Sequence, residues 1–169
     1  MIPLSSAISR GLTWSKVSHQ DYQLKRNDDV VGALHRPSLS SPTVFAETQS
    51  GHWTFRRGGW LGTGVQIVDS SSQQEIARLK SSWSGAGTLT FTDGQIFHLE
   101  CKGWWHPVWS VIAENGETLL RLHPREKEVD VTARTAVTDS RLSVLIMFLW
   151  YRVLQAEEDA EATSIAAAS

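Results

Sequence analysis

Two adjacent arginines precede a glycine pair in the stretch TFRRGGW, residues 54–60. Guanidinium forks beside the N–H groups of a tight turn suit a phosphate or another compact anion. Arg56 and Arg57 are therefore the candidate anion or headgroup site. The competing reading is solvated charge at a strand end. Alternation along a strand points only one of the pair outward, and Arg57 falls on the face of Trp53 and Phe55. A second cluster is HLECKGWWH, residues 98–106. His98 and Glu100 share a strand face and offer groups for metal binding or proton transfer. Cys101 faces the other way, and the spacing matches no zinc pattern. The expectation is unrelated strand residues, and no metal site is assigned. The third cluster, GWWHPVW at 103–109, concentrates Trp104, Trp105 and Trp109. Trp104 and Trp105 are the candidate aromatic surface, a platform on which a flat ligand can stack. Against that stands the commoner use of such rings, to cap or fill one end of the core, and this is the expectation. Arg121, His123, Arg125 and Lys127, interleaved with Glu126 and Glu128, read as a solvated mixed-charge turn.

None of these clusters is a catalytic signature. The chain contains no G-x-S-x-G, H-E-x-x-H, phosphate-binding loop or G-x-G-x-x-G. No catalytic residue is assigned and no cofactor is implied. The 169 residues are 41% hydrophobic and 20% charged, the composition of one globular domain. A net charge of −2 speaks against a dedicated nucleic-acid binder. The single cysteine, Cys101, cannot form a disulfide within the chain and suits a reducing compartment. The N-terminal MIPLSSAISRGLTW lacks the basic start and long apolar core of a secretory signal. Eight tryptophans imply a wide interior or an aromatic contact surface.

The elements that must position these residues are strands. Leu89 and Phe91 alternate in TLTFT; Phe97, Leu99 and Cys101 in QIFHLEC; Trp109, Val111 and Ala113 in VWSVIA; Val129, Val131 and Ala133 in EVDVTAR. Period two marks half-buried strands. Asp93-Gly94 and Asn115-Gly116 predict two-residue hairpin turns, with weaker signals at Ser50-Gly51 and Gly58-Gly59. Ten to twelve short strands follow. Residues 1–20 read as a loosely ordered lead-in with one strand near Leu12–Val17. The sequence also repeats: VGALH (31–35), IARLK (76–80) and LLRLH (119–123), and likewise GHWTFRRGGW with GQIFHLECKGW, and GVQIVD with VWSVIA. The offsets of about 43–45 residues give roughly two and a half four-strand meanders. That is too few for a many-bladed propeller and fits one closed or nearly closed sheet.

The last element differs from all the others. In RLSVLIMFLWYRVL, positions 141–154, nearly every residue is apolar. Thr138, Asp139 and Ser140 are good N-cap residues, so a helix over about 140–157 is expected, followed by a disordered acidic and alanine-rich tail at 158–169. Negative charge near a helix C-terminus favours fraying there. A helix apolar all round must be enclosed. Its unbroken run is about half of the roughly 20 residues a bilayer span needs. A barrel of about twelve strands has an interior that its own side chains do not fill. The expectation is a helix that plugs the barrel, within one domain over 21–157. The alternative is a tail anchor.

This pattern resembles the tubby C-terminal-like superfamily, which includes the LURP-one-related proteins and the phospholipid scramblases. The matching features are the meander repeats, the DG and NGETLLRL hairpins, and SRLSVLIMFLWYRVL as the last element, over about residues 20–157. The resemblance implies a mainly β fold: an antiparallel closed barrel of about twelve strands around a hydrophobic C-terminal helix. It also implies a binding role rather than catalysis. Tubby domains bind phosphoinositide headgroups through basic surface residues, and scramblases act at membranes with calcium and lipidation. This chain has no acidic calcium loop, no cysteine cluster for palmitoylation and no tubby-style basic headgroup motif. The expected partner is an anionic membrane lipid or a protein, without nucleic acid and without stable membrane insertion. The expected location is the cytoplasm, including a peripheral place at a membrane. An enzyme working near His98 and Glu100 is the further alternative.

Overall fold

The computed structural model describes residues 1–2, 11–58, 64–82, 86–132 and 137–168. Twelve strands run in order: β1 Leu12–Lys16, β2 Asp21–Arg26, β3 Asp29–His35, β4 Thr43–Thr48, β5 Gly51–Arg57, β6 Gly64–Asp69, β7 Glu75–Ser81, β8 Gly87–Phe91, β9 Ile96–Lys102, β10 Val108–Ala113, β11 Thr118–His123 and β12 Glu128–Val131. Each pairs antiparallel with its sequence neighbours, and β1 closes the sheet on β12 through Leu12↔Val129 and Thr13↔Glu128. The expected closed barrel is what forms. The strand near Leu12–Val17 is no mere lead-in, because it completes the ring.

Alternation decides what faces inward. Leu89, Phe91, Phe97, Leu99, Trp109, Val111 and Val129 are all buried in one core. Outward positions such as Arg56, Arg78, Thr90, His98, Arg121 and Asp130 are exposed and polar. That is the inverse of the apolar-out wall of a membrane-spanning barrel. Ala133, Gly59 and Trp60, which entered the sequence reading, lie outside the described residues.

The repeat proves to be three complete four-strand units, not two and a half. Its marker is a β-bulge. The register slips between β2 and β3, between β6 and β7, and between β10 and β11, leaving Val31, Ile76 and Leu119 with no opposite residue on the preceding strand. Those residues begin VGALH, IARLK and LLRLH. A bulge adds local twist and bends the strand, which a small closed sheet requires. It also breaks alternation. Val31 and Gly32 are consecutively buried, as are Leu119 and Leu120.

The hairpins at Asp93-Gly94 and Asn115-Gly116 form, but by a longer turn than expected. Gly94 donates to Phe91 O at 2.9 Å, and Phe91 donates to Gln95 O at 2.9 Å. Gly116, Ala113 and Glu117 repeat this with 2.9 and 2.8 Å. The pattern is a type I turn followed by a left-handed glycine, and φ is +91° at Gly94 and +85° at Gly116. Asp93 and Asn115 contribute side-chain acceptors instead of positive φ, each taking the N–H two residues on.

The helix α1 spans Asp139–Ala167. Thr138 caps it, its Oγ1 accepting the Arg141 N–H at 3.3 Å. Every residue from Leu142 to Gln155 is buried except Arg152. Phe148 meets Phe55 edge-on at 5.3 Å, and Trp150 stacks on Trp14 at 5.2 Å. A Cβ on Gly32 would stand 3.0 Å from Met147 Sδ, so the glycine leaves room for the helix. The apolar run is thus the barrel's filling and not a tail anchor. Among the described residues no helix is long and apolar enough to cross a membrane. The expected end near residue 157 is corrected by ten residues. At 29 residues the helix is about 43 Å long.

Candidate functional site

Because the strands alternate in direction, their connections divide between two ends. The lower end carries the β2–β3, β4–β5, β6–β7, β8–β9 and β10–β11 turns. The helix enters there. Arg141 places its guanidinium on the Asp93 carboxylate, at 2.7 and 3.3 Å, and on Gln95 Oε1 at 2.9 Å, with the Phe91 ring 3.8 Å below it. The Arg141 hydrogen bond, foremost among several causes, holds the Asp93 carboxyl below its ordinary range. The five turns are polar, built from Asn27-Asp28, Gln49-Ser50, Ser70–Gln74, Thr92–Gln95 and Glu114–Glu117. Their charge is mostly acidic.

The upper end is different in kind. Its connections expose Val17, Leu39, Trp104 and Trp105. Trp104 is 91% exposed and Trp105 72%. The expectation that these two rings fill the core is therefore wrong for them and right for Trp109, which is 4% exposed. The reason is local. The turn between β9 and β10 is tight, with Gly103 at φ +94° and the site of its missing Cβ only 2.5 Å from His106 O. That geometry throws both indoles outward, their centroids 5.4 Å apart. Elsewhere among the described residues the large exposed apolar side chains are Phe45 on the outer wall, Ile165 on the helix, and Met1, whose neighbour Ile2 donates to Val30 O.

The strand ends of the upper end are more basic than acidic. Lys16, Arg56, Lys80, Lys102, Arg125 and Lys127 are exposed there, against Glu126 and Glu128. Lys102 Nζ lies 2.7 Å from the Glu100 carboxylate. The two arginines of the candidate anion site separate as alternation requires. Arg56 projects from the outer wall. Arg57 lies at the rim in line with Trp53 and Phe55, where it already holds an anion. Its Nη1 and Nη2 donate to the two carboxylate oxygens of Asp159 at 3.0 and 3.2 Å. Across β4, Arg36 pairs through Nη1 alone with Glu158 Oε1 and also donates to Leu39 O at 3.4 Å. The sequence reading missed Arg36 and both acids.

The emerging helix carries its own polar group. Gln155 donates to Tyr151 Oη at 2.7 Å and accepts from Arg152 Nη1 at 2.6 Å. Burial pushes the Tyr151 phenol up to about 12 and lowers the Arg152 guanidinium. Burial, then the neighbouring Glu161, raises Glu157, against the pull of Lys16 and Lys127.

His98 and Glu100 both line a shallow groove on the outer wall with Lys80 and Thr88. Glu100 is engaged by Lys102, and among the described residues no hydrogen bond joins it to His98. Cys101 is half-buried and packs against the core, and burial raises its thiol. Among the described residues no group of three or more His, Cys, Asp or Glu side chains is placed to hold a metal ion. The chain matches no family model, no curated protein and no solved structure. The upper end is thus described by its own chemistry: two outward indoles, a basic rim and an acidic helix rising through it.

Proposed function

We propose that this chain is a non-enzymatic binding domain of the tubby-like kind, and that its upper end docks on membrane surfaces rich in anionic phospholipid headgroups. The observation that carries this reading is the placement of Trp104 and Trp105 on one hairpin tip at the basic end. Tryptophan is favoured at the level of the headgroups, where one part of the ring is wet and the other is not. Each lysine or arginine near an anionic leaflet contributes about 1 kcal/mol. The polar, acidic lower end suits the reverse orientation poorly, since like charge repels it from the same surface. The contact is peripheral, because the apolar helix is consumed inside the barrel.

Co-sedimentation with phosphatidylcholine vesicles, with and without phosphatidylserine, tests the proposal. Binding is expected only with the anionic lipid. It should fall at least tenfold in a Trp104→Ser, Trp105→Ser variant and weaken in Arg56→Glu, Arg57→Glu. Absence of binding, or binding that both variants leave unchanged, refutes it.

A further inference from the structure

The basic upper end already contains a competitor for any outside anion. Beyond Gln155 the helix leaves the barrel and continues to Ala167. Its first exposed turn delivers Glu158 to Arg36 and Asp159 to Arg57, partners 122 and 102 residues away in sequence. The Arg57 contact is the two-pronged fork that a phosphate would otherwise receive. Arg36 is nearly covered, its side chain 11% exposed. The contacts are not sealed, however. A cleft of about 290 Å³ opens beside the Arg36 pair, lined by Lys16, Tyr22, Arg36, Glu157, Glu158 and Glu161 among others. A headgroup phosphate therefore has a route to Arg36 if the carboxylate yields.

We infer that the helical extension, residues 156–168, is an internal pseudo-ligand that withholds Arg36 and Arg57 and thereby sets a threshold for docking on anionic surfaces. This rests on the reading of the upper end as a membrane-docking face. The charge layout supports it. The barrel alone is polar in charge, basic above and acidic below. The extension returns Glu157, Glu158, Asp159 and Glu161 to the basic end. Because the extension is tethered by a helix packed in the core, its carboxylates are present at high effective concentration. Only a surface offering many phosphates at once competes well, so the device favours a strongly anionic membrane over a dilute soluble anion.

The test is co-sedimentation of the full chain with phosphatidylcholine vesicles rich in phosphatidylserine at fixed salt, with a Glu158→Gln, Asp159→Asn variant. Release of two arginines, each contributing about 1 kcal/mol, predicts roughly a 30-fold gain in partitioning. A Glu114→Gln, Glu117→Gln variant makes the same change of net charge at the opposite end and should gain far less. The gain should vanish in an Arg36→Gln, Arg57→Gln background. A chain ended after Ala156 supplies a second version of the release, should the substitutions disturb folding. Wild-type binding with no gain over the lower-end control overturns this inference and leaves the docking reading intact. Binding by none of the proteins overturns both. Loss of thermal stability without gain in binding makes the ion pairs structural pins and also overturns the inference.

Discussion

Phe148→Ala is the most informative perturbation of the plug. Phe148 is 1% exposed and sits midway along the enclosed part of the helix. Its ring contacts Phe55 at 5.3 Å and Tyr151 at 5.8 Å. Removing a buried phenyl costs about 3–5 kcal/mol, the transfer term plus the cavity that remains. The lost ring contacts lie within the upper part of that range. Collapse of the cavity is resisted because Phe55, on β5, is fixed by ladders to β4 on one side and β6 on the other. For a chain of this length each kcal/mol lowers the melting temperature by about 2–4 °C, so a fall of roughly 6–20 °C is expected. Denaturant melts followed by circular dichroism give the free energy, and Phe148→Leu should recover most of it. A cost near zero, with the same unfolding slope, would refute the enclosure of the helix. Leu145→Asp is the severe companion. An unpaired charge at a site 0% exposed should prevent cooperative folding altogether.

Gly116→Ala should destabilise by about 1 kcal/mol or more, since φ of +85° strains any side chain, and a shift in chemical denaturation would report it. Gly32→Leu should cost about 1–3 kcal/mol by overpacking against Met147, and an unchanged melt would contradict the close approach there. The Asp93 carboxyl is held low by Arg141, so its contribution is present above its unfolded value, near 4, and is lost as pH falls through the lower folded value. Asp93→Asn should accordingly flatten the acid limb of stability against pH. Tyr151 has the opposite sign. Its phenol is raised to about 12, so its contribution is intact below about pH 10 and disappears between there and pH 12, and Tyr151→Phe should flatten the alkaline limb.

The wall and the plug were legible because their signals are local or compositional. Leu89 with Phe91 and Phe97 with Leu99 declare strands by alternation alone. An apolar run too short for a bilayer declares a core helix once the strands are seen to need one. The bulges were legible only as a repeat. VGALH, IARLK and LLRLH stand out because Val31, Ile76 and Leu119 carry the extra residue, but nothing in each pentamer says which residue is unpaired. Trp104 and Trp105 were misplaced because hydrophobicity sends indoles inward. The correcting signal is Gly103 before them and His106-Pro107 after, a tight turn that no strand face contains. The length of the helix was misjudged for another reason. Glu158 and Asp159 are unfavourable near a helix end when judged locally, and the arginines that reverse the balance lie more than a hundred residues away. The same long-range pairing hid Arg36, which looks in sequence like ordinary charge before Pro37.

Orientation at the bilayer tests the central claim most directly. In a Cys101→Ser background, an environment-sensitive fluorophore is attached to a cysteine at Ser40, on the β3–β4 connection of the upper end, or at Asn115, on the β10–β11 turn of the lower end. With phosphatidylserine vesicles the Ser40 label should shift to the blue and become shielded from an aqueous quencher, while the Asn115 label stays as it is in buffer. A shift at Asn115, or at neither position, would contradict docking by the tryptophan-bearing basic end.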